Sequence, residues 1–116
     1  MSKMKLGIIE HIDSAHYLPA HDSCGIVHGH TYRVEVVIEG EKKESGMVMD
    51  FYDMKKKIKD ILSTYDHVLL NDILDYPSAE NICEHIHSKL SNELGYPLSV
   101  KVWEGHNKWC ELSSIE

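Results

Sequence analysis

Arginine is almost missing from this chain: Arg33 is the single one in 116 residues. No arginine-rich clamp for phosphates can be built, and 12 Lys+Arg against 19 Asp+Glu leave a formal net charge of -7. That balance disfavours a nucleic-acid surface. Only three prolines and seven glycines are present. No Pro/Gly linker, internal repeat or low-complexity tract divides the chain, so residues 1–116 read as one small domain. No apolar run approaches the roughly 20 residues of a membrane-spanning helix. The opening MSKMKLGIIEHID lacks an apolar h-region and a small-residue cleavage site, so no export signal is expected, and the expected compartment is the cytosol. Three cysteines, Cys24, Cys83 and Cys110, cannot all pair within one chain, which argues against a disulfide scaffold.

Histidine, by contrast, is abundant, with nine in the chain. It is both a common metal ligand and a near-neutral acid or base.

Periodicity predicts an α+β order. Met4 to Ile12 and Thr31 to Glu39 alternate as strands, the second with Tyr32, Val34, Val36 and Ile38 on one face. Gly46-Met47-Val48-Met49 reads as a short returning strand after the charged loop GEKKESG. Asp50 caps a helix whose apolar stripe is Phe51, Met54, Ile58, Ile61, Leu62 and Tyr65. Pro77-Ser78 opens a second helix, with Ile82, Ile86, Leu90 and Leu94 inward and Gly95 as its stop. Leu98 to Trp103 and Lys108 to Leu112 complete the strands. Two helices cover one face of such a sheet, which leaves a polar face and two open edges that oligomerisation into a barrel would close.

The chemistry-bearing residues gather around the second strand. In His28-Gly29-His30 the two imidazoles, at i and i+2 of extended chain, point to one side, and Gly29 leaves room for close approach. His16, in Ser14-Ala15-His16, offers a third donor. Three neutral histidines suit a zinc that keeps one position open; chance surface histidines are the alternative. Cys24, four residues before His28, is either a thiolate base favoured by a nearby metal or a small buried hydrophobe. In Asp66-His67 a carboxylate can orient an imidazole, or the histidine can simply sit well at a helix end. Glu104 is a strand-end carboxylate suited to the N–H donors of a guanidine-like ring, or a solvated charge. Cys83 and Cys110 read as buried packing residues, and His85 and His87 as solvated.

Taken in order, Ser14-Ala15-His16, Cys24-Gly25-x-x-His28-Gly29-His30, Gly46-Met47-Val48-Met49-Asp50-Phe51, Asp66-His67-x-x-Leu70-Asn71, Pro77-Ser78-Ala79-Glu80-Asn81 and Val102-Trp103-Glu104 resemble the 6-pyruvoyltetrahydropterin synthase / 6-carboxytetrahydropterin synthase family. The resemblance runs over nearly the whole chain. It departs at His11, near where many members carry an aromatic residue, and in a short His16–Cys24 segment.

The resemblance implies the tunnelling fold: a four-stranded antiparallel sheet with two helices on one face, joined between subunits into a barrel as a trimer or hexamer. It implies zinc on His16, His28 and His30, Cys24 as the base, and Asp66 and His67 as a second proton-transfer unit reaching in from a neighbouring subunit. Glu104 would hold the pterin ring, with His106 and Lys108 towards the triphosphate. The implied substrate is 7,8-dihydroneopterin triphosphate, with neither nucleic acid nor membrane as partner. The short Cys24–His28 spacing resembles the branch forming 6-carboxy-5,6,7,8-tetrahydropterin with release of acetaldehyde and triphosphate, which feeds 7-deazaguanine synthesis (queuosine or archaeosine). The alternatives are the pyruvoyl branch, a relative that cleaves dihydroneopterin derivatives to a hydroxymethyl pterin and is expected to carry glutamate near the cysteine position, and a non-catalytic zinc-stabilised module.

Overall fold

A computed structural model describes residues 2–116; Met1, the first residue of the expected domain, lies outside them. The chain runs β1 (Lys3–His16), β2 (His28–Glu41), α1 (Phe51–Leu62), α2 (Ala79–Leu94), β3 (Leu98–Glu104) and β4 (Trp109–Ser113). The four strands form one antiparallel sheet in the order β1-β2-β3-β4, so β1 and β4 are its edges.

Alternation fixes which side of the sheet is dry. Tyr32, Val34, Val36 and Ile38 of β2 and Leu98, Val100 and Val102 of β3 are fully buried. They pack with Met54, Ile58 and Leu62 of α1 and Ile82, Ile86 and Leu90 of α2 in one core. Burial of such side chains contributes roughly 1.5–3 kcal/mol each. The odd-numbered residues of β2 face the other way, where Arg33 Nη2 lies 3.6 Å from Glu35 Oε1 and the Trp103 indole N–H donates to Glu35.

Both helices start where expected and α2 stops where expected, whereas α1 ends at Leu62 and Tyr65, expected on its stripe, lies in the 3-10 turn Ser63–Tyr65 that follows. The Asp50 side chain accepts from the Tyr52 N–H and the Ser78 hydroxyl from the Asn81 N–H. Gly95 ends α2 at φ 71°, a left-handed conformation that a β-carbon would strain. The first two strands run longer than alternation alone suggested, because β1 continues to His16 and β2 begins at His28.

Three expectations are overturned. Gly46–Met49 is not a strand: it runs through bends with no ladder partner among the described residues, and the Tyr96 hydroxyl donates to the Val48 carbonyl at 2.9 Å. Phe51 opens α1 outside its buried stripe and is 57% exposed. His85 and His87 are half-buried rather than solvated, with His85 Nδ1 2.6 Å from the Tyr65 hydroxyl and His87 Nε2 3.2 Å from the Leu98 carbonyl.

Truncation of Ile86, fully buried between helix and sheet, tests this core. Ile86→Ala is expected to cost about 2–5 kcal/mol and Ile86→Val about 0.5–1.5 kcal/mol. Urea unfolding followed by far-UV circular dichroism reads both, and equal midpoints for the two variants would contradict the packing described.

Candidate metal centre

The strand register assembles three histidines. His16 and His28 are direct partners across the β1–β2 pair, and His30 lies opposite Ser14. All three side chains share the even-numbered, helix-covered side of the sheet with Tyr32. The ring centroids are 4.6 Å apart for His16 and His28, 4.8 Å for His28 and His30, and 5.1 Å for His16 and His30. One ring nitrogen from each lies within 4.8 Å of the others. A side chain at position 29 would meet the Ser14 carbonyl oxygen at 3.7 Å, an ordinary contact. The closeness therefore comes from strand pairing and not from Gly29.

The outer nitrogens are already engaged. His16 Nδ1 lies 2.8 Å from the Pro77 carbonyl and 3.3 Å from the Tyr32 hydroxyl, and His28 Nδ1 lies 2.7 Å from the Ile26 carbonyl. A carbonyl can only accept, so each of these Nδ1 atoms carries the proton and its Nε2 is left as a lone-pair donor. The two Nε2 atoms meet at 3.0 Å. His30 Nε2 is buried and has no hydrogen-bond partner among the described residues. A buried polar nitrogen left unpaired is costly, and a cation shared by all three Nε2 atoms removes that cost. The donor set therefore fits a divalent metal that prefers nitrogen ligands. Burial holds the His30 pKa below the usual imidazole range, against the pull of the Glu104 carboxylate. That keeps the ring neutral and able to ligate.

Glu104 ends β3 beside this centre, with Oε1 3.7 Å from His30 Nε2 and 3.9 Å from Lys108 Nζ. His106 lines a cleft of about 420 Å³ together with His11, His30, Arg33 and Trp103. The structure thus brings Glu104, His106 and Lys108 to the same end of the sheet as the histidines.

Cys24 does not join the converging donors. It is half-buried in the loop between β1 and β2, its N–H donating to His21 Nδ1 at 3.0 Å and its carbonyl accepting from Leu18 at 2.7 Å. Asp66 and His67 do pair directly, Oδ2 to Nδ1 at 2.9 Å. His67 adopts a φ of 57° where this pair of adjacent residues meets. The N–H of Asp13 donates to Asp66 Oδ1 and holds that carboxyl below the usual carboxylate range. The pair attaches to β1 three residues before His16, about 10 Å along the strand at ~3.3 Å per residue. Within one chain the pair and the histidine cluster are separate.

Sequence reasoning missed the residues behind the ligands. Tyr32 is fully buried beside His16, and burial pushes its hydroxyl pKa well up, so it remains a neutral hydrogen-bonding group. The strand parity it shares with His30 was the available signal. Asn71 clamps the residue after His16, accepting from the Tyr17 N–H at 3.0 Å and donating to its carbonyl at 2.8 Å. No local pattern announces that contact.

A protein-family comparison matches residues 5–114 to 6-pyruvoyl tetrahydropterin synthase. A curated relative from Archaeoglobus fulgidus, named a putative 6-carboxy-5,6,7,8-tetrahydropterin synthase, is 43% identical over 110 residues, 95% of this chain and 96% of its own. A dihydroneopterin monophosphate aldolase of Pyrococcus furiosus is 40% identical over 89 residues, 74% of this chain and 77% of its own. The 6-pyruvoyl tetrahydropterin synthase of Caenorhabditis elegans superposes with a TM-score of 0.88 at 21% identity, over 97% of this chain and 96% of that one. The likeness shows the tunnelling fold expected from the sequence. With its motifs in order, its three-histidine centre and its family match over residues 5–114, the chain belongs to the 6-pyruvoyl tetrahydropterin synthase family.

Proposed function

We propose that this chain is a zinc-dependent 6-carboxy-5,6,7,8-tetrahydropterin synthase, a single-domain enzyme that converts 7,8-dihydroneopterin triphosphate to 6-carboxytetrahydropterin, acetaldehyde and triphosphate. The observation that carries the reading is the unpartnered, buried Nε2 of His30 facing the donors of His16 and His28. The name of the 43%-identical relative supplies the choice of product. His16, His28 and His30 would hold the ion, and bound zinc supplies Lewis-acid polarisation of a substrate oxygen. Glu104 accepts from the amino-pyrimidine edge of the pterin, and charge-assisted bonds there orient the ring. A ring on Glu104 lies beside His30, so its side chain falls next to the metal centre. His106 and Lys108 face the triphosphate end.

Cys24 is the proton acceptor in this reading, and Asp66 with His67 forms the second proton-transfer unit. Because the pair sits apart from its own chain's histidines, it is suited to serve a neighbouring subunit. The open edges β1 and β4 fit a trimer or hexamer closed through the sheets. None of the helices is long and apolar enough to cross a membrane among the described residues, and a cytoplasmic location fits the substrate. A second reading has its own support: the aldolase relative is 40% identical, which favours carbon–carbon cleavage of a dihydroneopterin phosphate to a hydroxymethyl pterin. The pyruvoyl branch is a third outcome. A closed structural zinc normally takes four protein ligands, which the three-histidine donor set does not supply.

Three outcomes are expected. Purified protein should carry roughly one zinc per chain, and His28→Ala or His30→Ala should lose it on dialysis; full zinc retention, read by plasma emission spectrometry, would sink the assignment. Cys24→Ala should keep zinc and fold but lower kcat at least about a hundredfold, the scale of a positioned proton acceptor. Near-normal turnover in that variant would reject its role. Incubation with 7,8-dihydroneopterin triphosphate should yield acetaldehyde, trapped as a hydrazone, with 6-carboxytetrahydropterin by mass spectrometry. Glycolaldehyde phosphate with a hydroxymethyl pterin from the monophosphate would favour the aldolase reading, and a pyruvoyl pterin without aldehyde the third.

A further inference from the structure

The Asp66–His67 pair is seated by one residue of the neighbouring strand. The Asp13 N–H donates to Asp66 Oδ1 at 2.8 Å, and the His67 N–H donates to the Asp13 carbonyl at 2.7 Å. His67 holds a left-handed φ of 57° at this point, a conformation uncommon for a residue with a β-carbon. Asp13 thus holds the Asp66 carboxylate with its N–H and the 66–67 peptide N–H with its carbonyl.

Those two bonds use backbone atoms that any residue at position 13 would present. The side chain adds a third constraint. Asp13 and Thr31 face each other across β1 and β2, and the Thr31 hydroxyl donates to Asp13 Oδ1. One oxygen each of Asp13 and Asp66 and a ring nitrogen of His67 lie within 4.8 Å of one another. The His67 side chain is 77% exposed, and its ring is held by Asp66 Oδ2 at 2.9 Å. An exposed imidazole with one partner swings about its χ angles unless further charge restrains it. The Asp13 carboxylate is that charge, and its tether is a strand residue immediately after the ligand His30. The pair on a loop is thereby referenced to the same rigid strands that carry the histidine cluster.

We propose that Asp13, tethered by Thr31, is a positioning residue for the Asp66–His67 pair, and that its carboxylate sets the direction in which the His67 imidazole presents Nε2 for proton transfer. The proposal rests on the reading of Asp66 and His67 as a proton-transfer unit. Asp13 itself touches no substrate in this scheme; it acts through His67.

Thr31→Val removes the tethering hydroxyl while keeping a β-branched strand residue, Thr31→Ser restores the hydroxyl, and Asp13→Asn removes the charge. Thr31→Val and Asp13→Asn are expected to lower kcat about tenfold, a part of what a well-aimed proton-transfer group contributes. KM and zinc content should stay within twofold of wild type, and Thr31→Ser should return kcat to the wild-type value. Asp13→Asn placed on His67→Ala should slow that variant no further, because coupled residues are non-additive. A substrate-free readout separates this proposal from the reading beneath it. Nitrogen-15 NMR of the zinc-loaded protein should show His67 as a single Nδ1–H tautomer in wild type and as averaged tautomers in Thr31→Val. Unchanged tautomer and unchanged kcat in Thr31→Val overturn the proposal, as does a further loss from Asp13→Asn in the His67→Ala background. Normal turnover by His67→Ala overturns the proton-transfer reading instead, and the tautomer signature then decides alone whether Asp13 orients the ring. If Asp13→Asn fails to fold, the two Thr31 variants test the same positioning role by themselves.

Discussion

The register between β1 and β2 is the constraint on which everything else depends. Fourteen consecutive pairs, from Lys3 with Glu41 to His16 with His28, hold the two longest strands together. A slip of one residue would move every side chain to the opposite face. With β2 held by β3, it would turn the buried Ile12 of β1 outward and separate His16 from His28 and His30 at the same stroke. The apolar stripe that drives the sheet against the helices therefore also aims the ligands. The stripe simply changes chemistry along its length, from Ile38 and Val36 to Tyr32 and then to His30 and His28. Burying polar rings at that end is tolerable because each outer nitrogen of His16 and His28 has a carbonyl to satisfy it.

The same strand pair organises the outer edge. Beyond Ile12 the free side of β1 is taken up by residues 66–71, through Ala15 N–H to the Val68 carbonyl, His67 N–H to the Asp13 carbonyl and the Asn71 clamp on Tyr17. A connecting segment that carries only a bridge at Leu69 and a single 3-10 turn, Leu70–Asp72, is thus fixed to the most regular part of the molecule. Preorganisation of this sort lets a loop side chain do chemistry without the entropic cost of being caught each time. The remainder of the β1 edge, and β4 with Trp109 half-exposed, have no such cover among the described residues.

What could be read from the sequence follows the range of the forces involved. Alternation and helical spacing gave away the strands, the caps and the buried stripes, because burial on one side of a regular element leaves a period in the sequence. Histidines at i and i+2 of a strand disclosed their shared direction for the same reason. Met47-Val48-Met49 misled because an apolar triplet has no period long enough to tell a strand from a segment that merely drops one side chain, Val48, into the core. Phe51 misled because the first turn of a helix lies at the rim of the core. The partners of His85 and His87 come from Tyr65 and Leu98, and Pro77, Tyr32 and Asn71 support the His16 region from remote or opposed positions. Contacts set by tertiary closure leave no local trace.

Relatives 43% and 40% identical to this chain carry two different activities in their names. Overall similarity of that size cannot separate the chemistries, so the difference between them has to reside in a few positions around a shared centre. The histidine cluster is a poor place for it, since three neutral imidazoles hold a metal in the same way whichever substrate bond breaks. The segment between β1 and β2 is a better one. It carries Cys24, and it is held by short-range bonds among Leu18, His21 and Cys24 rather than by the sheet. One residue of added length there moves a thiol by about 3.3 Å, enough to exchange one substrate carbon for its neighbour, while the core and the ligand strands stay unchanged. In the proposed reaction the rigid strands would hold the metal, and the loop between them would select the proton that is taken.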